Sequence, residues 1–408
     1  MTEQIQEQAG TLVFTRSINA PVHQLYHAFT NATALREWLC DVASTSPREG
    51  GRLYVAWNNG YYASGEYTSL DRDRCIAFSW YGRGEPQPTQ VEVTLSEKNS
   101  ASEVNLQHSG LGAGEAWAAA ARELRKGWET GLDNLKSVLE TGEDLRLTRR
   151  PMLGITLGDF NPEVAQKLGV PATQGVRLDS TLEGMGAHAA GLQPGDVIVG
   201  LGDQTVRDFN DLAAALQGRF AGEQIDVTYY RGPEKMKTSM ELSRRPVPEI
   251  PKSGLELAAM VREKYRQIDS ELRNIFEGVT EEEAGFAPSP DEWSAKEIIA
   301  HLILGERFSS SYIVELVGGQ ERWADDFLSN NHDQTRAVVA AYPTVADLLD
   351  ELRRNELETV ALLETLPEDF VRRKGSYWRL AYGSIQPDYH AEQHYSQIRD
   401  AIEAARQK

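Results

Sequence analysis

A chain of 408 residues exceeds one ordinary hydrophobic core and fits two or three domains. Its 42 Lys and Arg against 61 Asp and Glu leave a net charge of −19, a field that repels phosphate backbones; with no basic patch beyond residues 146–150, it argues against nucleic-acid binding. Two cysteines, Cys40 and Cys75, argue against a disulfide framework; no apolar run reaches the roughly eighteen residues of a membrane span, and residues 1–10 lack an export signal, so a soluble cytoplasmic protein is expected.

Residues 11–145 mix strand and helix patterns. Val91, Val93 and Leu95 alternate with polar residues, as do Val104 and Leu106, which predicts two half-buried strands paired as a meander. His108 continues the inward face of the second strand, where a lone histidine is usually a hydrogen-bonded core residue. Leu25, Phe29 and Leu35 mark a helical segment between Pro21 and Trp38, and Trp117, Leu124, Trp128, Leu135 and Val138 mark a longer amphipathic helix. A curved antiparallel sheet gripping one long helix is the simplest arrangement.

On Phe14 to Pro21, Ala34-Leu35-Arg36-Glu37-Trp38, Leu106 to Leu111, and Gly127-Trp128 through Leu139, this region resembles the START-like (SRPBCC) helix-grip superfamily, and within it the homologues of the heat-shock protein ATPase activator. The resemblance implies a cavity for a small apolar ligand between helix and sheet. Trp57, Tyr62, Trp80, His108 and Trp117 are the candidates to line it; simple core packing is the alternative for these aromatics.

Residues 141–150 are polar and without periodicity, which predicts a linker before a domain spanning 150–245. There, Pro194-Gly195 has the composition of a type II turn, with a strand from Val197 to Leu201, a helix over Asp208 to Gln217 and a strand from Gln224 to Tyr230. With Met152-Leu153-Gly154-Ile155 and Ala190 to Ile198, the region resembles a PDZ domain of the kind attached to HtrA-like proteases, a β-sandwich or barrel. That resemblance implies that the amides of Leu153, Gly154 and Ile155 receive the C-terminal carboxylate of a partner's peptide. Gly154 would let the carboxylate approach for want of a Cβ. Met152 departs from the more familiar Gly-Leu-Gly-Phe loop, and a spacer role is the alternative.

Pro246, Pro248 and Pro251 mark a stiff second linker. The region 252–408 reads as all-α, with helices at Leu255 to Phe276, from Ser294 past His301 towards Val317, Thr344 to Leu366 and Tyr389 to Ala405: a four-helix bundle. Ser294 and Glu297 have capping-box spacing, which puts His301 about two turns into its helix. His390 and His394 stand four apart, on one face of another. His332 falls between helices in no pattern, and a solvated loop position is expected.

On Trp293-Ser294, Glu297, His301-Leu302, His390, His394, Gln397 and Ile398, this region resembles the DinB-like bundle family, completing a multidomain α+β chain. The resemblance implies a divalent metal on His301, His390 and His394; availability and geometry make zinc the leading expectation, with nickel and iron as alternatives. Three imidazoles leave a position open for water or a low-molecular-weight thiol, whose proton the ion would loosen. Glu297 and Glu306 are the candidate general bases or supports of the ligands. Two function classes stand: a metal-dependent thiol transferase, isomerase or hydrolase recruiting through its other domains, or a non-enzymatic stress-related adaptor or ligand sensor with a structural metal.

Overall fold

A computed structural model describes residues 6–8, 10–98, 101–289, 292–322, 331–386 and 389–408. The chain forms two compact units, residues 1–144 with 248–408, and residues 145–247. Among the described residues no helix is long and apolar enough to cross a membrane.

The first part of the larger unit runs β1 (Gln6–Gln8), β2 (Thr11–Ile18), α1 (Val22–Thr30), α2 (Ala32–Trp38), β3 (Val42–Thr45), β4 (Arg52–Ala56), β5 (Tyr62–Asp71), β6 (Cys75–Gly82), β7 (Thr89–Lys98), β8 (Ala101–Ser109) and α3 (Glu115–Thr141). The strands form one antiparallel sheet in the order β1-β2-β8-β7-β6-β5-β4-β3. Val93 pairs with Leu106 and Val91 with His108, so the two alternating segments are neighbours, as the meander requires. Their inward residues meet the apolar face of α3, where Leu124, Trp128, Leu132, Leu135 and Val138 are buried. The single helical segment expected before Trp38 is instead two helices. Asn31 is extended at φ −102° and ψ 134°, and its side-chain oxygen caps α2 by accepting from the Ala34 amide at 3.0 Å.

The smaller unit runs α4 (Leu145–Thr148), β9 (Pro151–Met152), β10 (Ile155–Gly158), α5 (Pro162–Leu168), β11 (Val176–Thr181), α6 (Gly186–Ala189), β12 (Val197–Leu201), β13 (Gln204–Thr205), α7 (Phe209–Leu216), β14 (Gln224–Arg231), β15 (Glu234–Glu241) and β16 (Ser243–Arg244). Its main sheet has the order β10-β11-β12-β14-β15, which leaves β10 at an edge. The Pro194-Gly195 turn forms as expected: Gly195 takes φ +88°, and the Asp196 amide donates to the Gln193 carbonyl at 3.1 Å. The 141–150 stretch is more ordered than a plain linker. Asp144 is buried and accepts from Asn134 at 2.9 Å, and α4 follows directly.

The rest of the larger unit is all helical: α8 (Gly254–Ile275), α9 (Glu281–Ala284), α10 (Ala295–Gly318), α11 (His332–Ala341), α12 (Val345–Glu364), α13 (Glu368–Val371), α14 (Lys374–Ser384), α15 (His390–Gln393) and α16 (Tyr395–Arg406). Helices α8, α10, α12 and α16 are the four expected long helices, and their apolar faces share a core around Ile268, Ile299, Leu349 and Ile398. The last helix is interrupted at His394, and α14 was not anticipated. It packs against α2 and α3. A Cβ on Gly375 would lie 2.6 Å from Val138, so only glycine allows that approach.

Polar groups complete the contact within this unit. Ser376 donates to the Glu37 carboxylate. Arg379 holds Glu321 through two bonds of 2.6 and 2.8 Å, and Arg36 reaches the same carboxylate at 3.1 Å, with the Glu321 side chain 2% exposed. Removing one partner would leave this buried acid uncompensated, at a cost of about 3–5 kcal/mol.

Candidate metal centre

His301 stands in the second turn of α10 because Ser294 starts that helix as its sequence spacing predicts. The Ser294 hydroxyl accepts from the Glu297 amide at 3.2 Å, and Glu297 accepts from the Ser294 amide at 2.9 Å. The Ser294 amide and hydroxyl therefore both occupy Glu297 Oε2, and its other oxygen lies 3.4 Å from Arg336. Its role is at the helix end, which is the structural alternative to a general base.

His390 and His394 come from α15 and the residue that ends it. The His301 and His390 Nε2 atoms are 2.8 Å apart, and those of His390 and His394 are 3.1 Å apart. Ions bound by imidazole at about 2.0–2.1 Å set neighbouring nitrogens roughly 2.9 Å apart at right angles and roughly 3.3 Å apart in a tetrahedron. The two observed spacings fit neighbouring ligands of such a shell, and the ligand atoms of all three histidines lie within 4.8 Å of one another. Among the described residues this is the one group of His, Cys, Asp and Glu side chains close enough to share an ion.

The surroundings prepare these rings as ligands. Gln397 Oε1 lies 2.7 Å from His394 Nδ1 and accepts its proton, which leaves the Nε2 lone pair facing the site. The His390 pKa is lowered to about 4, first by the solvation its ring loses against α10, although the residue keeps an exposed edge, and then by the His301 and His394 rings. It is therefore neutral near pH 7, as a ligand must be. Gly305 is one turn beyond His301, and a Cβ there would lie 3.2 Å from His390 Nδ1, so the glycine makes room for that ring. His301 is buried, His394 half-buried and His390 exposed, so the site is reached from solvent on the His390 side.

Trp293 covers the inner end. Its ring is 4.9 Å from that of His301, and its Nε1 donates to His332 Nδ1 at 3.2 Å. His332 thus opens α11 and holds a tryptophan; it is not the solvated loop residue expected from the sequence. Glu306 lies deeper in α10. It accepts from Tyr265 Oη at 3.0 and 3.1 Å and from Thr359 Oγ1 at 3.2 Å, and burial raises its pKa. Glu356 on α12 is a second buried acid, raised to about 9 by burial and then by Glu306. Its signal in the sequence was a carboxylate on the apolar stripe of Leu349, Leu352 and Val360.

The other candidate residues sit elsewhere. In the smaller unit Leu153 is buried, Ile155 begins the edge strand, and Gly154 takes φ +76°. The space a Cβ would fill at Gly154 belongs to Met185, whose Cβ would be 2.3 Å away. Packing and a left-handed backbone by themselves already require the glycine.

Around the β-sheet of the larger unit, Trp57, Trp80 and His108 join one aromatic cluster with Trp128. Trp80 lies 6.5 Å from Trp57 and 5.4 Å from Trp128. His108 is fully buried, taking a hydrogen bond from Trp128 at 3.0 Å and meeting Thr89 at 2.7 Å. Trp117 is buried on Gly112. Tyr62, by contrast, is 44% exposed beside Tyr54 on the outer face, because the strand alternation turns Ala63 inward.

Comparisons with known proteins agree with this division. Residues 19–140 match the family of Activator of Hsp90 ATPase homolog 1-like proteins, residues 151–242 the PDZ domain and residues 264–398 the DinB superfamily. A probable periplasmic serine protease do/HhoA-like of Haemophilus influenzae is 29% identical over 137 residues, 34% of this chain and 27% of that protein. The serine protease Do-like HtrA of Lactococcus lactis subsp. cremoris is 34% identical over 116 residues, 27% of this chain and 28% of that protein. The chain thus spans only about a quarter of the length of these curated relatives.

Among solved structures, the Aha1 dimer from Colwellia psychrerythraea is 20% identical and covers 32% of this chain and 96% of its own, with a TM-score of 0.29. An HSP90 activator from Plasmodium falciparum is 23% identical over 32% of this chain and 95% of its own, with a TM-score of 0.28. The chain carries, in order, an AHSA1-like domain of the SRPBCC type, a PDZ domain similar to those of HtrA proteins and a DinB-superfamily domain with a three-histidine cluster.

Proposed function

We propose that the DinB-superfamily domain is a metal-dependent enzyme of the thiol transferase, isomerase or hydrolase type. The observation that carries this reading is the convergence of three Nε2 atoms from two helices with one ligand, His390, on the solvent side. A site closed by a fourth protein ligand would suit a structural ion; three imidazoles open to solvent suit a catalytic one. A bound divalent ion, zinc first, would supply Lewis acidity that makes a thiol or water nucleophilic near neutral pH. The protein's part is to keep His390 neutral, to orient His394 through Gln397 and to shield His301 behind Trp293. The PDZ domain would bring a partner by its C-terminal peptide. The AHSA1-like domain would hold a small apolar ligand or serve as a rigid mount.

The test is elemental analysis of the purified full chain, followed by thiol-transfer assays on model electrophiles with glutathione, cysteine and other small thiols, and by esterase assays, each with and without chelator. Stoichiometric metal and a chelator-sensitive activity support the proposal. Stoichiometric metal without activity favours the adaptor reading, and a metal-free protein that takes up no zinc, nickel or iron sinks both metal readings.

A further inference from the structure

Helix α8 supplies no ligand, yet two consecutive residues of it grip the short segment that carries His390. Lys264 Nζ lies 2.8 Å from Glu392 Oε1 and 5.2 Å from the centre of the Tyr389 ring. The other oxygen of Glu392 accepts from the Tyr389 amide at 3.0 Å, so one carboxylate both caps α15 and receives the lysine. Tyr265 meets the Tyr389 ring edge-on, with centroids 6.0 Å apart and planes at 87°. Its hydroxyl is held by Glu306, five residues beyond His301 on α10. The path from His301 along α10 to Glu306, Tyr265, Tyr389 and His390 therefore closes on the metal-site rings.

This arrangement answers a local weakness. The α15 helix has four residues, too few to hold a conformation by its own hydrogen bonds. Its first side chain must nevertheless point an Nε2 at a shared centre while its ring lies against Gly305. We infer that Lys264 and Tyr265 are positioning residues that fix the His390 segment against α10 and thereby set the metal affinity of the three-histidine site. The inference rests on the metal reading above. Lys264 supplies the charge that anchors the capping carboxylate, and Tyr265 supplies the wall against which Tyr389 settles.

The experiment uses the full chain and reads binding, not activity. Zinc affinity is measured by competition with a chromophoric chelator, and the cobalt-substituted protein is compared by its visible absorption. Lys264→Met and Tyr265→Leu should each weaken zinc binding by about 10–100-fold, as loss of a ligand's supporting partner does elsewhere, and should alter the cobalt spectrum. Lys264→Arg should restore most of the affinity. Arg273→Met, which breaks the Arg273–Asp350 pair between α8 and α12 without touching the His390 segment, should leave both readouts unchanged. Wild-type affinity and spectrum in Lys264→Met and Tyr265→Leu would overturn this inference alone. Equal weakening by Arg273→Met would show a general loss of stability and overturn it too. An unmutated chain that binds neither ion would overturn the metal reading and this inference with it.

Discussion

Trp128 donates its indole N–H to Nδ1 of His108 at 3.0 Å, which leaves Nε2 as the protonated nitrogen facing Thr89 Oγ1. The Thr89 hydroxyl in turn donates to the Trp80 carbonyl at 3.0 Å, so one tautomer satisfies the whole chain of bonds. Adding a proton at Nδ1 would set it against the indole N–H. Burial accordingly holds the His108 pKa near about 4.

The first prediction follows from that depressed value. Below about pH 6.5 the unfolded chain protonates this histidine and the folded chain does not, so stability falls as pH drops from about 6.5 towards about 4. The contribution at the lower end is on the order of 3 kcal/mol. His108→Leu should remove that slope, while costing about 1–3 kcal/mol at neutral pH because Trp128 and Thr89 lose a partner. Urea unfolding followed by tryptophan fluorescence at pH 5 and 7.5 checks both parts.

Glu37 should act with the opposite sign. Desolvation raises its pKa from 4.5 to about 7, against the partial relief given by Ser376, Arg379 and Arg373. The folded chain then binds the extra proton between about pH 4.5 and 7, and this group's contribution weakens as pH rises through that window. Glu37→Gln keeps an acceptor for Ser376 without the charge. It should raise stability at pH 8 by about 1–2 kcal/mol and change little at pH 5. Thermal unfolding at the two pH values measures it; a drop at pH 8 would contradict the assignment.

Alanine at His301, His390 or His394 should each remove most of the bound metal, since two imidazoles hold an ion far less tightly than three. Gln397→Leu should weaken binding by about 10–100-fold without abolishing it, because the ligand remains and only its orientation is freed. His332→Ala should leave the metal in place, as it contacts Trp293 and no ligand. Metal content after dialysis against a weak chelator separates the three outcomes.

In the PDZ domain, free-carboxylate peptides with an apolar last residue should bind the full chain more tightly than their C-terminal amides, by fluorescence anisotropy. Gly154→Ala should lower the stability of this domain by about 1–2 kcal/mol or more, for the left-handed backbone alone and with Met185 in the way besides. Equal binding of acid and amide would leave the domain as a spacer.

The clustering of the three histidines was legible because helix periodicity and a capping box are local rules. Ser294 and Glu297 fix where α10 begins, and the spacing of His390 and His394 survives the break at His394, whose backbone stays helical at φ −98° and ψ −4°. What supports the site was not legible. Lys264, Tyr265 and Glu392 matter only because α8 lies beside α15, and no spacing along the chain encodes that. His332 was misplaced for the same reason, its partner Trp293 being 39 positions away. Asn31 hid a helix break inside a continuous apolar pattern, since a polar residue at one position reads equally as a solvent face or a cap. Tyr62 shares its composition with the inward aromatics, but strand parity alone turns it out. Helix α14 mixes Gly375, Arg379 and Gly383 with its buried Tyr377, Trp378 and Leu380, which obscures its periodicity.

The bond between Ser376 and Glu37 spans 339 positions, and the contact it belongs to has a consequence for order of synthesis. The AHSA1-like portion leaves the ribosome complete, yet the helix that covers Glu37 and Val138 is not yet made. At roughly 5–20 residues per second, that surface waits on the order of half a minute before α14 emerges. The PDZ domain, a compact unit of its own, is translated during this interval. A nascent chain stalled before residue 374 would therefore expose an apolar and acidic face that the finished protein hides, and a chaperone would meet it there first.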